Sequence, residues 1–255
     1  MSVQIVVPAR NEAIRLPGGL AALCRKAAML PMAAEILVVD SASSDSTAQI
    51  VRGWPAGPVP VRLVSCQRPG KGVAVRAGLL ATTAPFVGFC DADMATDLTA
   101  LDVAVRLLAA GRQVVIGSRT LADSAVTRRR SLTRRAGAAA FRALTRQLVP
   151  GVSDTQCGFK FFAGPLARAA AMSLRTAGFA FDVELLDGCL RRGASVTEIP
   201  VRWRDVPGSS SSVPRHSAQV CWEIVSIWLR TRGVVNPRST AGSERGSATY
   251  LPEVV

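Results

Sequence analysis

The chain has 255 residues, 49% of them hydrophobic, which suits a folded globular protein and excludes a largely disordered one. Lysine and arginine outnumber aspartate and glutamate by 31 to 18, and the net charge of +13 fits nucleic acid, an anionic membrane surface or a phosphorylated substrate as partner. Aromatic residues make up only 5%, which argues against single-stranded nucleic acid, because its bases need stacking platforms.

The sequence lacks the features of an exported or membrane-spanning protein. It contains no apolar run of the roughly 18 residues that cross a bilayer, and SVQIVVP at the N-terminus has no basic start or cleavage site. Its six cysteines are scattered without a CxxC pair, as is typical of reduced thiols. We therefore expect a cytoplasmic protein without a transmembrane helix.

Apolar strands alternate with helices in the first half of the chain. Strands are predicted at residues 3–7, 35–40, 61–65, 86–90 and 113–118. Helices are predicted at residues 19–30, 73–81 and 98–110, the second of these after a tight glycine loop at 70–72. A further short helix is predicted to be capped by Asp45 or Ser46 and to end at Val51. This alternation predicts an α/β fold with a mostly parallel, Rossmann-like sheet and helices on both faces.

Polar residues follow the predicted strands directly. They are Glu12, Asp40, Lys71, Asp91 and Asp93. In open α/β sheets ligands bind beyond the carboxyl ends of the strands, where the strand order reverses, so we expect these side chains to gather at one rim. Polar loops are common in any protein, but that does not explain why acids stand immediately at strand ends.

Asp91 and Asp93 are separated only by Ala92. In an extended chain residues i and i+2 point the same way, which predicts that the two carboxylates converge. Two such groups repel unless a cation lies between them. Mg²⁺ and Mn²⁺ take oxygen ligands of this kind, usually together with substrate phosphates. The competing interpretation is a solvated turn that uses aspartate for its backbone hydrogen bonds.

Two familiar nucleotide motifs are missing. A dinucleotide site needs G-x-G-x-x-G after the first strand, where this chain reads PARNEAIRLPGG, and GKGVAV after the third strand lacks the last glycine. The sequence also contains no G-x-x-x-x-G-K-[ST]. We therefore expect neither NAD or FAD nor a P-loop.

Residues 120–150 are rich in arginine on a helix-compatible background: Arg128, Arg129, Arg130, Arg134, Arg135, Arg142 and Arg146. Such a run is usually a solvated face, but beside a phosphate-handling rim its bidentate guanidiniums also suit phosphate. Farther on, Asp182 is a candidate cap of a helix that runs to Arg192. Edge strands are predicted around Pro200 at 196–204, and an amphipathic helix at 218–230.

Seven segments in order carry a family resemblance: VVPARNE, EILVVDSASSDST, RPGKGVAVRAG, FCDAD, VIGSR, SDTQCGFKFF and GFAFDVELL. Together, over residues 3–206, they resemble the GT-A glycosyltransferases of family 2, and within them the dolichyl-phosphate glucosyltransferases and related polyprenyl-phosphate sugar synthases. The resemblance implies transfer of a sugar from a nucleotide sugar to a lipid phosphate, with inversion and with Mg²⁺ or Mn²⁺.

The resemblance also implies a division of the chain. Residues 1–232 would form one GT-A domain, with a nucleotide-sugar half at 1–119, an acceptor half at 120–206 and a loop with an amphipathic helix at 207–232. Residues 233–255 would be a disordered tail.

Site residues follow from the matched motifs. The donor-binding set implied is Pro8, Arg10, Glu12, Asp40, Lys71, Asp91, Ala92 and Asp93. The acceptor-binding set implied is Arg119, Arg134, Arg135 and Gln156. Asp91 and Asp93 would hold the metal, His216 is a further candidate ligand, and the catalytic set is Asp93, Asp182 and Arg119.

The chain departs from the family pattern at two places. VVDSASS has Ser41 and Ala42 where the family has Asp and Gly. The late loop reads GSSSS instead of G-S-K, so Arg202, Arg204 or Arg215 would have to replace a lysine that touches the donor phosphates.

The acceptor decides the chemistry expected of Asp182. A phosphate acceptor is already ionised and needs no general base, so Asp182 would position the sugar. An alcohol must lose a proton, and Asp182 or Glu184 would then be the base.

Several functions fit the sequence. The first is transfer of glucose from UDP-glucose to a polyprenyl or dolichyl phosphate at an anionic membrane surface, where the arginines and the helix of Trp222 and Trp228 would hold the enzyme. That helix could instead simply pack on the domain. Alternatives are GDP-mannose as donor, a soluble transferase with a small acceptor, and a non-enzymatic protein that binds nucleic acid or anionic lipid. Asp91 and Asp93 argue against the last, because they repel a polyanion, and we expect no nucleic-acid partner.

Overall fold

The computed structural model describes residues 1–126, 141–204, 213–232 and 249–250, with backbone only at 213–218, 232 and 249–250. The strands are β1 (Ser2–Ala9), β2 (Ala33–Ser41), β3 (Val61–Cys66), β4 (Phe86–Cys90), β5 (Val114–Ser118), β6 (Ala125–Val126), β7 (Phe159–Ala163), β8 (Val196–Pro200), β9 (Arg202–Trp203) and β10 (Thr249–Tyr250). The helices are α1 (Leu16–Ala28), α2 (Thr47–Arg52), α3 (Lys71–Leu80), α4 (Ala100–Ala109), α5 (Gly164–Ser173), α6 (Phe181–Leu190) and α7 (Val213–Arg232).

One sheet organises the molecule, in the order β10-β8-β5-β7-β4-β1-β2-β3. Every neighbouring pair is parallel except those of β7, which is antiparallel to both β4 and β5. The short strands β6 and β9 pair separately. The predicted mostly parallel α/β sheet is therefore confirmed.

Helices cover both faces of the sheet because its strands alternate apolar residues between two buried layers. On β1, Val6 belongs to the layer that contains Leu79 of α3. Its neighbours Ile5 and Val7 belong to the other layer, with Leu20 of α1 and Leu101 of α4.

The antiparallel strand β7 was not predicted. Its sequence, FKFFA, is too apolar to show the period-2 alternation of a half-buried strand, because both of its faces are covered. Phe161 packs in one layer and Phe162 in the other. Lys160, between Phe159 and Phe161, is fully buried, and it becomes important at the site.

Some predicted boundaries were wrong. The glycine loop ends two residues earlier than expected, since α3 already begins at Lys71. The first predicted edge strand, β8, is not at an edge, because β5 and β10 flank it. Asp182 does not cap α6: Ala180 is the N-cap residue, and the carboxylate of Asp182 binds Lys160 instead.

Part of the predicted domain division lies outside the described residues. Of the predicted disordered tail at 233–255, the structure describes only residues 249–250, which pair with β8. Among the described residues, no helix combines the length and apolar character needed to cross a bilayer. The domain boundaries remain a prediction.

The strand order places the reversal between β1 and β4. From β1 the chain proceeds outward to β2 and β3, then returns so that β4 lies on the other side of β1. The loops after β1 and β4 carry Glu12, Asp91 and Asp93. A crevice at such a switch point is the usual ligand site of an open α/β sheet.

Candidate active site

Asp91 follows β4 and is held at the rim by the backbone. Its N–H donates to the carbonyl of Gly158 at 3.0 Å, and its own carbonyl accepts from the N–H of Met94 at 3.0 Å. Met94 has a φ of 47°, so the chain turns sharply after Asp93. The relative orientation of Asp91 and Asp93 is therefore determined by this turn and not by the strand alternation that the sequence predicted.

Lys71 neutralises Asp91 from the opposite element. It is the first residue of α3, and its Nζ lies 2.6 Å from Oδ1 of Asp91 and 5.9 Å from the ring centre of Phe181. Burial disfavours the ammonium, but the charges of Asp91 and Asp182 outweigh burial and raise the pKa of Lys71. Lys71 is therefore a fixed cation at the rim.

Asp93 and Glu12 are the other acids at this rim. Burial raises the pKa of Asp93, and the negative charge of Asp91 raises it further. Burial likewise raises the pKa of Glu12, although Arg15 binds its carboxylate through Nε at 2.7 Å. A cation or a phosphate-bound metal would relieve this crowding of negative charge.

A second ion pair lies behind Lys71, inside the core. Nζ of Lys160 donates to Oδ1 of Asp182 at 2.5 Å, and the two side chains are 0% and 3% exposed. Lys160 also donates to the carbonyl of Cys157. Burial raises the pKa of Asp182 despite the opposing charges of Lys160 and Lys71. The four side chains thus form a series of alternating charge that runs from the rim into the core, in the order Asp91, Lys71, Asp182 and Lys160.

Sequence reasoning missed Lys160. The available signal was a lysine alone within an aromatic run, FKFF, because a charge in a buried segment needs a partner of opposite sign.

The loops that follow β1 and β2 are tied together. The N–H of Asn11 donates to Oγ of Ser43 at 2.9 Å, and the N–H of Glu12 donates to Oγ1 of Thr47 at 2.9 Å. Of the two predicted caps of α2, Ser46 is the N-cap residue but its side chain makes no capping bond, while Oδ1 of Asp45 accepts from the N–H of Thr47 at 2.9 Å. These bonds fix the loop that carries Arg10 and Glu12 against the end of β2.

The departures from the family pattern have visible consequences. Ala42 has a φ of 53°, a left-handed conformation that glycine would adopt without strain. Oγ of Ser41 accepts from the N–H of Gly70 at 3.1 Å and donates to the carbonyl of Arg68 at 2.9 Å. Ser41 therefore connects β2 to the loop that positions Lys71.

Asp40 and Pro8 lie on adjacent parallel strands at this rim. Asp40 is 8% exposed, and its Oδ1 is buried without a hydrogen-bond partner among the described residues. Pro8 is buried in β1, and Arg10 beyond it is exposed. A buried acceptor of this kind is costly to leave unpaired, so Oδ1 of Asp40 is available to a ligand donor.

Arg119 binds the carboxylate of Asp154, a residue that was not predicted from the sequence to belong to the site. Its Nε and one Nη donate to Asp154 at 2.7 and 2.9 Å, and its guanidinium carbon is 5.7 Å from the ring centre of Trp203. Asp154 also accepts from the N–H of Gln156 at 3.2 Å. Asp154 therefore holds both Arg119 and Gln156, the two predicted acceptor-binding residues that lie in the described part of the chain. Arg134 and Arg135 lie outside it.

Strand β9 and the residue after it bind the segment that follows Asp93. The N–H of Arg204 donates to the carbonyl of Ala95 at 2.8 Å, and the carbonyl of Arg202 accepts from the N–H of Asp97 at 2.9 Å. Both arginine side chains are exposed. Arg215 and His216 lie in the first turns of α7, where the structure describes no side chains.

The site suits a hard divalent cation only if a substrate completes the coordination. Among the described side chains, no group of three or more His, Cys, Asp or Glu residues is placed to hold a metal. Asp91 and Asp93 offer carboxylate oxygens, but Lys71 already occupies Oδ1 of Asp91. Such a donor set fits Mg²⁺ or Mn²⁺ that also binds phosphate oxygens.

Solved structures of the same fold contain such a metal. A glucosyl-3-phosphoglycerate synthase from Mycobacterium tuberculosis, in complex with Mn²⁺, UDP and glucosyl-3-phosphoglycerate, matches with a TM-score of 0.66 over 89% of this chain and 79% of that one, at 20% identity. Its complex with Mg²⁺ and UDP matches with a TM-score of 0.65 and 20% identity over the same shares. At this identity the likeness confirms the GT-A fold alone.

Sequence relatives are closer. A dolichyl-phosphate beta-glucosyltransferase from Dictyostelium discoideum is 33% identical over 244 residues, 89% of this chain and 74% of the relative. Those from Drosophila melanogaster and Homo sapiens are 34% and 32% identical, covering 90% and 81% of this chain and 75% and 68% of the relatives. The family model for glycosyl transferase family 2 matches residues 4–164. With the GT-A sheet and its acidic switch point, these matches establish that the chain belongs to glycosyl transferase family 2.

Proposed function

We propose that the protein is an inverting, metal-dependent hexosyltransferase that moves glucose from UDP-glucose to a polyprenyl or dolichyl phosphate. The observation that carries the proposal is the grouping of Lys71, Asp91 and Asp93 at the point where the strand order reverses. The names of the sequence relatives support glucose as the sugar and a lipid phosphate as the acceptor.

The donor would bind along the ends of β1, β2 and β4. Oδ1 of Asp40, which has no hydrogen-bond partner among the described residues, would accept a hydrogen bond from the base. Pro8, Arg10 and Glu12 would line the base and ribose. Asp91 and Asp93 would hold Mg²⁺ or Mn²⁺ against the diphosphate, with the backbone of Ala92 between them. A metal bound there supplies positive charge to the departing nucleoside diphosphate.

Lys71 would stabilise the same leaving group. In the reaction, an acceptor oxygen forms a bond to the anomeric carbon while the bond from that carbon to the diphosphate oxygen breaks. The electron pair of the broken bond leaves with the diphosphate, so negative charge grows where the ammonium of Lys71 is already fixed. Attack from the opposite face inverts the anomeric centre.

Asp182 is better placed to orient Lys71 than to accept a proton. Its carboxylate is buried and bound to Lys160. Glu184, the other candidate base, accepts from the backbone N–H of Thr176 at 2.7 Å and pairs with Arg230 at 3.0 Å. Neither carboxylate is free to act as a general base, which favours an acceptor that is already ionised, such as a phosphate.

The acceptor phosphate would meet Arg119 and Gln156, together with Arg134 and Arg135. Asp154 uses Nε and one Nη of Arg119, which leaves the remaining edge of the guanidinium to a phosphate oxygen. Because Asp154 fixes the orientation of Arg119 in advance, little side-chain freedom would be lost when an acceptor binds.

Helix α7 gives support to a membrane location. Trp222, Val225 and Leu229 are exposed at helical spacing, while Ile224 and Ile227 are buried against the domain. Trp228 packs on the domain, with its indole N–H 3.4 Å from Oε1 of Gln147. The helix thus has an apolar face that packs inward and an outer apolar stripe suited to a lipid surface.

Two measurements test this proposal. A thermal-shift series with UDP-glucose and GDP-mannose, each with and without Mn²⁺, should show the largest metal-dependent stabilisation with UDP-glucose. A transfer assay should then show glucose moving to a polyprenyl phosphate and not to the matching polyprenol. A larger thermal shift with GDP-mannose would show that GDP-mannose is the donor. Transfer only to a small soluble acceptor would show that the acceptor is not a lipid.

A further inference from the structure

A cleft lies outside the candidate active site, between the first turn of α3 and the segment that joins α5 to α6. Its volume is about 270 Å³. Three arginines line it, Arg68, Arg76 and Arg175, and the remaining wall includes Gly72, Val73 and Thr176.

The cleft faces away from Lys71. At about 100° per residue, Val73 and Arg76 lie roughly 200° and 140° around α3 from Lys71, whose ammonium binds Asp91. None of the residues at the diphosphate position, Lys71, Asp91 or Asp93, lines the cleft. A ligand in the cleft would therefore be separate from the donor.

The charges that line the cleft have one sign. No aspartate or glutamate is among the described residues that line the cleft. Within the described part of the chain, the guanidiniums of Arg68 and Arg175 form neither an ion pair nor a hydrogen bond, since no salt bridge includes them and only their backbone atoms are bonded. Arg76 is anchored, because its Nε donates to the carbonyl of Ala171 at 3.1 Å.

Glu184, which binds the backbone beside the cleft, has other partners. Glu184 accepts from the backbone N–H groups of Arg175 and Thr176 at 3.1 and 2.7 Å, and its other oxygen accepts from Arg230 at 3.0 Å. Three guanidiniums around one opening repel each other, and an anion between them removes that repulsion.

The residues of the wall also suit an anion. The first turn of α3, a ten-residue helix, contributes Gly72 and Val73, and the N-terminus of a helix carries partial positive charge. Guanidinium groups bind phosphate oxygens in pairs. The N–H of Gly72 already donates to the carbonyl of Ala177 at 2.9 Å, so the guanidiniums are the donors that would bind an anion here.

We propose that this cleft binds a phosphate group at a site distinct from the nucleotide-sugar site. The group belongs either to an anionic phospholipid headgroup or to a soluble phosphate ester, since both present the same oxygens. The proposal does not depend on the identity of the sugar donor or acceptor.

The first test uses the full chain in the presence of a chelator, so that metal-dependent binding at the donor site is suppressed. Inorganic phosphate is titrated into ¹⁵N-labelled protein, and the backbone amide signals of Gly72, Val73 and Thr176 are followed. The cleft variant is Arg68→Gln/Arg175→Gln. The matched control is Arg52→Gln/Arg112→Gln, which removes the same charge from exposed positions elsewhere. We expect about tenfold weaker phosphate binding in the cleft variant and less than about a twofold change in the control.

The second test separates the two sources. Vesicles of phosphatidylcholine with and without phosphatidylglycerol are sedimented with each protein. Loss of anionic-vesicle binding in the cleft variant alone identifies a lipid headgroup, and unchanged vesicle binding with weakened phosphate binding identifies a soluble ester. The proposal is overturned if phosphate leaves the three amide signals unmoved while anionic vesicles bind both variants equally, or if the cleft variant loses no more affinity for either probe than the control.

Discussion

Gly158 and Asp91 approach so closely that no larger residue fits at position 158 without moving the carboxylate. A Cβ atom on Gly158 would lie 1.9 Å from Oδ2 of Asp91 and 2.2 Å from its Cγ. The carbonyl of Gly158 also accepts the N–H of Asp91 at 3.0 Å. The residue that directly precedes the antiparallel strand β7 therefore makes room, by its lack of a side chain, for the central acid of the site.

The first prediction follows from this contact. Gly158→Ala should displace the Asp91 carboxylate from Lys71 and weaken nucleotide-sugar binding by at least about tenfold, because a supporting residue of a metal or phosphate site has effects of this size. Isothermal titration calorimetry with UDP-glucose and Mn²⁺ measures it. The fold should survive, since the clash is with the end of one side chain.

A matched control is available on α1. Gly18→Ala adds the same methyl group at a helical position with no other atom within 4 Å of its Cβ, so binding should not change. Equal affinities for the two variants would show that the position of Asp91 does not matter to the donor.

The second prediction concerns the buried pair of Lys160 and Asp182. Lys160→Met leaves the Asp182 carboxylate buried without its partner and should cost about 3–5 kcal/mol of unfolding free energy. Lys160→Met/Asp182→Asn removes both charges and should recover a large part of that loss. Urea denaturation of the two variants measures the difference. A double variant as unstable as the single one would show that the charges are not coupled.

The third prediction uses Asp182 to identify the acceptor class. Asp182→Asn should only weaken transfer to a phosphate acceptor, because that acceptor has no proton to lose and Asp182 acts on Lys71. Transfer to an alcohol would be nearly abolished if Asp182 were its base. Initial rates with polyprenyl phosphate and polyprenol, measured at a temperature where the variant is folded, decide between the two. Near-complete loss with the phosphate acceptor would contradict the positioning role.

The fourth prediction is a pH dependence of stability. Burial acts to raise the pKa of Asp154, but the hydrogen bonds and charge of Arg119 outweigh it and lower that pKa below 3.8, the value without these contacts. Because the folded-state pKa is the lower one, the stabilisation is complete above the unfolded value and is lost as pH falls through the folded value.

Asp154→Asn should therefore destabilise the protein by about 3 kcal/mol near neutral pH, and the difference from the parent protein should shrink below about pH 4. Urea denaturation at several pH values tests it. A difference that stays constant from neutral to acidic pH would show that the ion pair adds no stability through its charge.

The parallel half of the fold was predictable because its signals are local. In β1 and β2 the apolar runs are continuous and end in polar residues, as buried parallel strands do. The acids Asp91 and Asp93 were recognisable for the same reason, since they follow β4 directly.

The rest of the site depends on contacts between distant segments. Lys160 and Asp182 are 22 residues apart, and Arg119 and Asp154 are 35 apart. No local periodicity connects such pairs, and β7 enters the sheet between strands that precede it in the chain. The sequence predicted that Asp91 and Asp93 converge through strand alternation, whereas the structure has a turn there with Met94 at positive φ, a property of the backbone that the residue types do not reveal.

The central claim is that Asp91 and Asp93 hold a divalent cation that binds the diphosphate of a sugar nucleotide. The most direct measurement is calorimetry of UDP-glucose binding, with Mn²⁺ and with chelator, to the parent protein, to Asp91→Asn/Asp93→Asn and to the nearby control Asp97→Asn. The account predicts that the double variant loses the Mn²⁺-dependent affinity by more than the roughly 10- to 100-fold that loss of a supporting residue causes, while the control keeps it. Unchanged Mn²⁺-dependent binding in the double variant would contradict the account.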